Sequence, residues 1–353
     1  MKHLSTPSQL VLRHQQRFDN TPLLLVNAPD AEVADTLNVV QCWHFHAGYA
    51  KRWQAYAPQV MHHFGADAPV YDAAQAPQAA LVWLPKEKQL TWYLLDALRS
   101  VLPLGSTIWL VGENRGGIKS INKQFPASLA PAQKIAVGNH SLLLRSEVVE
   151  TLSLFDVQQR FEYESLAQPG QPTPLKLASL PGVFAFPGID AGSAMLLEHL
   201  PSWQQGRVLD FACGHGVLGA WLQRQAQQLR VTYLDVSALA LAATAETLRQ
   251  NGLTGECVAS DGLANSLPQF NYVVSHPPFH TGLATDYEIG KQFLRQVREH
   301  LLPSGELWLV ANRFLPWPEL IEQAFGHCER VAQDNKFAVY LAPAAPDNPE
   351  EFM

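Results

Sequence analysis

The chain has 353 residues, long for one domain, since a domain usually holds roughly 100 to 200, so two domains are expected. With 47% hydrophobic and 16% charged residues the composition is that of a water-soluble globular chain, and no apolar run approaches the roughly 18 residues a membrane helix needs. The formal charge of −7 excludes long-range phosphate attraction as the main source of affinity for a nucleic acid, so an RNA partner has to be met through a local patch. From Lys176 onward Lys and Arg number 11 against 18 Asp and Glu, and before it 14 against 14, which makes the N-terminal half the less repulsive face for a polyanion.

The opening stretch Met1-Lys2-His3-Leu4-Ser5-Thr6-Pro7 lacks the apolar run of a secretory signal. Cys42, Cys213, Cys257 and Cys328 are scattered without CxxC spacing. Together these predict a protein of the reducing cytoplasm with no zinc site and no disulfide framework; separately, a monomer is expected. The apolar run Leu23-Leu24-Leu25-Val26 reads as a strand that enters Asn27-Ala28-Pro29-Asp30, a loop without glycine. Further on, Val82-Trp83-Leu84-Pro85-Lys86 carries a single proline.

An internal repeat divides the chain. Leu102-Pro103-Leu104-Gly105 leads into an apolar strand with Trp109-Leu110-Val111, and Leu302-Pro303-Ser304-Gly305 leads into one with Trp308-Leu309-Val310. Both continue to an Asn-Arg pair, Asn114-Arg115 and Asn312-Arg313, and both lie between helix-like stretches that end near Phe125 and Phe325. Duplication is the reading this supports. The Pro- and Gln-rich stretch 167–176 reads as the linker between domains 1–166 and 177–353. On the first side of it Arg115, Lys119 and Lys123, four apart, would share one face of a helix and could meet RNA.

The second half alternates strand and helix, the pattern of a doubly wound α/β sheet. Strands are expected at 207–211, 230–235, 256–259, 271–275 and 306–311, with a helix capped by Ser237 and stopped at Asn251-Gly252. Two final runs, 328–332 and 336–341, form a hairpin, so the last strand is antiparallel to its neighbour.

Two motifs carry chemistry. The run Asp210-Phe211-Ala212-Cys213-Gly214-His215-Gly216 joins the first of these strands to its helix, where glycines let backbone approach a ligand at the helix N-terminus. By itself the loop also fits a dinucleotide fingerprint, Gly214-x-Gly216-x-x-Gly219, and Asp235 lies where a ribose-binding acid is expected in either case. Asp210 at the strand end, where an acid can meet a cationic methionine moiety, and the terminal hairpin favour S-adenosyl-L-methionine over NAD. Asp261, following Ser260, is placed to reach an adenine edge. The second motif is Ser275-His276-Pro277-Pro278-Phe279-His280, in which consecutive prolines end a strand and fix an extended backbone at the cleft.

That segment resembles the (Asn/Asp)-Pro-Pro-aromatic motif of methyltransferases that modify planar nitrogens. Together with Leu180-Pro181-Gly182-Val183-Phe184, Ile189-Asp190-x-Gly192-Ser193, the run from Leu307 to Phe314 and Leu110 to Gly117, it makes nearly the whole chain similar to the RsmC family. The resemblance implies two tandem Rossmann-like class I methyltransferase folds, the N-terminal one degenerate. It implies guanine-N2 methylation of 16S rRNA within the small ribosomal subunit, with S-adenosyl-L-methionine as cofactor. It would place the cofactor on Asp210, Ala212, Gly214, Gly216, Asp235 and Asp261, and guanine on His276, Pro277, Pro278 and Phe279. Two positions depart from the pattern: Ala212 stands at the usual first glycine, and His276 where the family shows Asn. Because imidazole accepts a hydrogen bond only when neutral, the second departure leaves open a non-catalytic RNA-binding or assembly protein.

Overall fold

The computed structural model describes residues 4–71, 76–186, 188–264, 266–278 and 284–344, the side chains of 284–287 excepted. Phe279 and His280 therefore lie outside the described residues. The chain divides into two compact units, Met1–Arg160 and Phe161–Met353.

In the first unit the elements are α1 (Thr6–Arg13), β1 (Leu23–Val26), β2 (Val39–His44), α2 (Ala47–Tyr56), β3 (Met61–Phe64), β4 (Ala79–Trp83), α3 (Lys88–Val101), β5 (Thr107–Glu113), β6 (Gln133–Gly138) and β7 (Ser141–Glu147). The second unit holds β8 (Glu162–Leu166), β9 (Leu175–Ser179), α4 (Ala191–His199), β10 (Gln205–Phe211), α5 (Val217–Gln225), β11 (Gln228–Asp235), α6 (Ala238–Asn251), β12 (Glu256–Ala259), β13 (Phe270–Ser275), α7 (Ala284–His300), β14 (Leu301–Asn312), α8 (Trp317–Phe325), β15 (Glu329–Gln333) and β16 (Phe337–Pro343).

Each unit is built on a seven-stranded sheet, ordered β3-β2-β1-β4-β5-β7-β6 in the first and β12-β11-β10-β13-β14-β16-β15 in the second. Counted within its own unit, that is one strand order used twice, with only the last hairpin antiparallel in each. The duplicated fold expected from the repeat is what the chain adopts, and Trp109 and Trp308 are buried at matching places in β5 and β14.

The period-2 alternation of each strand sorts its residues between two cores. In the second unit Val208, Tyr233, Val274 and Trp308 face α4, α5 and α6, while Leu209, Leu234, Val273 and Leu309 face α7 and α8. The Ser237 hydroxyl caps α6, and Gly252 closes it in the left-handed conformation that a side chain would disfavour.

Two expectations are corrected. The boundary falls at Arg160/Phe161, and 167–176 is no linker: β8 and β9 pair antiparallel across it. Gln168 donates from inside this stretch to the Trp221 carbonyl, and the Ala178 amide of β9 donates to Thr247 on α6, so its polar residues are tied to the second unit. Nor do Arg115, Lys119 and Lys123 share a helical face. After β5 the chain forms a 3-10 helix, Ile118–Gln124, between Gly117 and Pro126. At about three residues per turn a step of four carries a side chain well round the axis, and Arg115 precedes the helix altogether.

Helix α5 lies so close to the sheet that a Cβ on Gly219 would come 2.4 Å from Tyr233 Cε1 and 2.7 Å from Val231 Cγ1. Gly219→Ala is expected to destabilise the second unit by about 1–3 kcal/mol through overpacking. Urea unfolding checks this, and an unchanged midpoint would show that the ring moves aside at no cost.

Candidate active site

The parallel strands β10, β11 and β13 end together, and a cleft of about 550 Å³ opens at their C-terminal edge. Among its lining residues are Ala212, Gly214, Asp235, Asp261, His276 and Pro278. One cavity thus joins the two motifs that stand some sixty residues apart.

At the cofactor end, the Asp235 carboxylate accepts from the Gly214 and Ser237 amides at 3.0 and 2.9 Å, which fixes the loop after β10 against the end of β11. Asp210 lies deeper and is fully buried. One of its oxygens accepts from the Gly219 amide at 2.9 Å, and the other makes no hydrogen bond among the described residues. Burial, and then the neighbouring Asp235, push the Asp210 carboxyl well above the usual carboxylate range; burial raises Asp235 as well. Asp235 and Asp261 line the cleft whereas the fully buried Asp210 does not, and nothing lies within 4 Å of where a Gly214 Cβ would point. Such a donor set suits a ligand with a cationic head and ribose hydroxyls.

The loop's small residues divide their work. Gly216 does not line the cleft: it caps α5 at φ +77°, and a Cβ there would meet Thr244 Cγ2 at 2.9 Å, so its need for glycine comes from packing on α6. Ala212 sits at φ +56°, so this alanine takes up the left-handed turn that glycine usually makes, at a steric cost of about 1–2 kcal/mol.

At the other end His276 follows β13 and is buried. Its Nδ1 lies 3.0 Å from Ser193 Oγ and 3.5 Å from Asp190 Oδ1. Both partners stand at the start of α4, where Asp190 also caps the helix by accepting from the Gly192 amide. A Cβ on Gly192 would meet His276 Cε1 at 2.9 Å, so the Asp-x-Gly-Ser pattern is the seat of the imidazole. The rings of Phe184 and Phe337 meet it edge-on at 5.2 and 5.6 Å. Pro277 is buried and Pro278 is exposed at the cleft. Sequence reasoning quoted Asp190, Ser193 and Phe184 only within the family resemblance; the helix-capping Asp three residues before Ser193 was the available signal for the first two.

The first unit shows what the site looks like when it is lost. By sheet position Trp83 corresponds to His276 and Ser8 to Ser193, and Trp83 Nε1 donates to Ser8 Oγ at 3.0 Å. An indole has a donor and no acceptor. At the end of β2, His44 replaces Asp235, each two residues before the cap of the next helix. After β1 the chain forms a short 3-10 helix, Ala31–Asp35, with the Trp53 indole donating to the Ala28 carbonyl at 2.8 Å.

A seven-stranded sheet with an antiparallel last strand, and a cleft lined by Asp235 and Asp261 beside an X-Pro-Pro strand end, define a class I methyltransferase; the dinucleotide reading of the glycines falls with that topology. Residues 174–341 match the methyltransferase small domain and residues 8–163 its N-terminal counterpart. Ribosomal RNA small subunit methyltransferase C of Idiomarina loihiensis is 39% identical over 95% of this chain and 97% of its own. That of Pseudomonas paraeruginosa is 40% identical over 95% and 98%. The chain belongs to the ribosomal RNA small subunit methyltransferase C family. A solved structure described as the T. thermophilus 16S rRNA N2 guanine-1207 methyltransferase with AdoMet and guanosine has the same fold at a TM-score of 0.79, with 21% identity, covering 97% of this chain and 92% of that one. Among the described residues no helix is long and apolar enough to cross a membrane.

The raised carboxyl of Asp210 carries a stability consequence. Where a folded Asp titrates above its unfolded value of about 3.9, the folded state holds the extra proton, so its cost is absent below that pH and grows as pH rises toward the folded pKa. The urea midpoint of the ligand-free wild type is therefore expected to fall, relative to that of Asp210→Asn, as pH is raised from about 4 to 8. A difference that stays flat over that range would mean that Asp210 is ionised throughout.

Proposed function

We propose that this chain transfers the methyl group of S-adenosyl-L-methionine to the N2 amine of a guanine in 16S rRNA, at the position numbered 1207 in the solved relative. The observation that carries this reading is the single cleft in which Asp235, Gly214 and Asp261 stand at one end and His276 and Pro278 at the other. In this assignment Asp235 receives the ribose hydroxyls, Asp261 the adenine edge, and the buried Asp210 offers its unpartnered oxygen toward the methionine moiety. The Gly214 backbone comes closest to the ligand, and Ala212 keeps the turn that allows it.

When bound, the cofactor supplies an activated methyl that an aligned nucleophile can take in one displacement. The protein has then to align the amine and free its lone pair, because guanine N2 is delocalised into its ring. With its proton on His276 Nδ1, shared with Ser193 Oγ, the ring would accept from the amine through Nε2. This is the arrangement that Trp83 and Ser8 keep in the first unit, with the donor on the ring. The Pro277 carbonyl is the second acceptor. Acceptors at both N–H bonds favour a pyramidal nitrogen and act where positive charge develops. The proton that N2 must lose on methylation would pass to His276 Nε2, with Asp190 at 3.5 Å from Nδ1 to steady the imidazolium. Phe184, half-exposed at the cleft, and Phe279, outside the described residues, are the aromatic faces for the base, stacking being worth about 1–3 kcal/mol. The base has to leave its stack first, at a few kcal/mol if paired. The four cysteines are free, in keeping with a cytoplasmic enzyme.

Equilibrium binding is expected to show one cofactor per chain, lost in Asp235→Ala. A second site per chain would refute the degenerate reading of the first unit, which has His44 and a glycine-free loop where the second has Asp235 and Gly214.

Single-turnover transfer to small subunits that lack the modification is expected to yield N2-methylguanosine. It should slow on the acid side of the range in which imidazoles titrate, sampled from about pH 5.5 to 8.5, because imidazolium offers only donors to an amine that also donates. His276→Asn should stay active and lose this acid limb; His280→Asn should keep it. An unchanged limb in His276→Asn, or a variant that binds cofactor and subunit yet transfers nothing, would overturn the acceptor role.

A further inference from the structure

In the first unit three side chains that sequence spacing keeps apart are brought together by strand pairing. Cys42 and His44 are two residues apart on β2 and so share one face of the sheet, and the register sets Cys42 opposite His62 on β3. One ligand atom from each of the three lies within 4.8 Å of the other two. Cys42 and His44 are buried, and His62 is half-buried, so solvent reaches the cluster from its side.

The histidine geometry is that of a ligand pair. His44 Nε2 and His62 Nδ1 stand 3.3 Å apart. Two nitrogens bound to one tetrahedral zinc at about 2.0–2.1 Å are separated by about 3.3 Å. His62 Nε2 lies 3.0 Å from the Ala57 carbonyl oxygen, which only accepts, so the proton of this ring belongs on Nε2 and the Nδ1 lone pair is turned to the cluster. A backbone carbonyl that fixes the tautomer of a ligating histidine is the usual outer partner of a metal site.

We propose that Cys42, His44 and His62 bind one zinc ion. Two imidazoles and a thiolate are a donor set that suits a thiophilic ion and not a hard one. Three protein donors leave one tetrahedral position, which a water takes from the side of His62. Binding deprotonates the Cys42 thiol and releases its proton to solvent. The effect on the fold is to clip β3, a four-residue edge strand with no fully buried residue, to β2. His44 stands at the sheet position that Asp235 holds in the second unit, so the strand end that faces the cofactor there holds a metal here.

The test uses the full-length chain, stripped with a chelator and titrated with Zn²⁺ against a chromophoric competitor, and with Co²⁺ as a spectroscopic probe. One ion per chain is expected, with a thiolate-to-cobalt charge-transfer band and a rise in the unfolding temperature of the zinc-loaded protein. Cys42→Ser, His44→Asn and His62→Asn should each weaken zinc by more than the roughly 10- to 100-fold that the loss of an outer partner costs. His63→Asn, whose residue is paired with Trp43 and so lies on the opposite face, should bind as the wild type does. The cobalt spectrum of the wild type decides the matter even if a variant fails to fold. No stoichiometric zinc, or a bound cobalt without the thiolate band, would overturn the site and leave a plain hydrogen bond between His44 and His62.

Discussion

The contact on which both units depend joins the first turn of an α-helix to a ring at the C-terminal end of the fourth strand of the sheet. In the first unit it is Ser8 to Trp83, in the second Ser193 to His276, and both are 3.0 Å long. It fixes the ring at the strand end against a helix that packs across the sheet, and so decides what faces the cleft. A tryptophan in that place fills space and donates. A histidine fills less, keeps a lone pair, and in the second unit gains Asp190 as a further partner. The difference between a supporting unit and a catalytic one is thus concentrated in which ring the same serine holds.

Burial of charge is the second constraint. The second unit keeps Asp210 and Asp235 buried with pKa values raised by that burial, a cost that a cationic ligand held as proposed would offset. The first unit accordingly has His44 at the equivalent strand end, held neutral by burial, and Asp30, whose carboxylate is engaged by the Ser5 amide and hydroxyl at the start of α1. Each polar group left in that core is either neutral or locally satisfied.

Much of the fold could be read before any coordinates because its signals are local. Ser237 and Gly252 mark α6, alternating apolar residues mark the strands, and the short turn between 332 and 336 marks the last hairpin. What escaped was set by tertiary pairing. The stretch 167–176 has the composition of a linker, yet Gln168 finds the Trp221 carbonyl and the flanking strands find each other. The basic residues at 115, 119 and 123 have helical spacing, but Gly116 and Gly117 separate Arg115 from the other two, which lie in a 3-10 helix that ends before Pro126. Cysteine spacing could not bring out the proposed zinc donors, because Cys42 and His62 become neighbours only through the β2–β3 register. In the site, the two motifs pointed to Gly214, Asp235, Asp261 and His276, which line one cleft, whereas the packing of Gly216 on Thr244 is invisible in a glycine pattern.

His276 in place of the family's Asn then has a physical explanation in its surroundings. An amide would need no help to present an oxygen, since it accepts at any pH. An imidazole needs its proton placed on the far nitrogen, and Ser193 and Asp190 stand there; it needs room at Cε1, and Gly192 gives it; and it needs its plane fixed, which Phe184 and Phe337 do from either edge. An imidazole so placed can do something an amide cannot, which is to take the proton that N2 must lose. On the proposed reading His276 is a pH-dependent acceptor that doubles as a base, and Ser193, Asp190 and Gly192 around it suit that role.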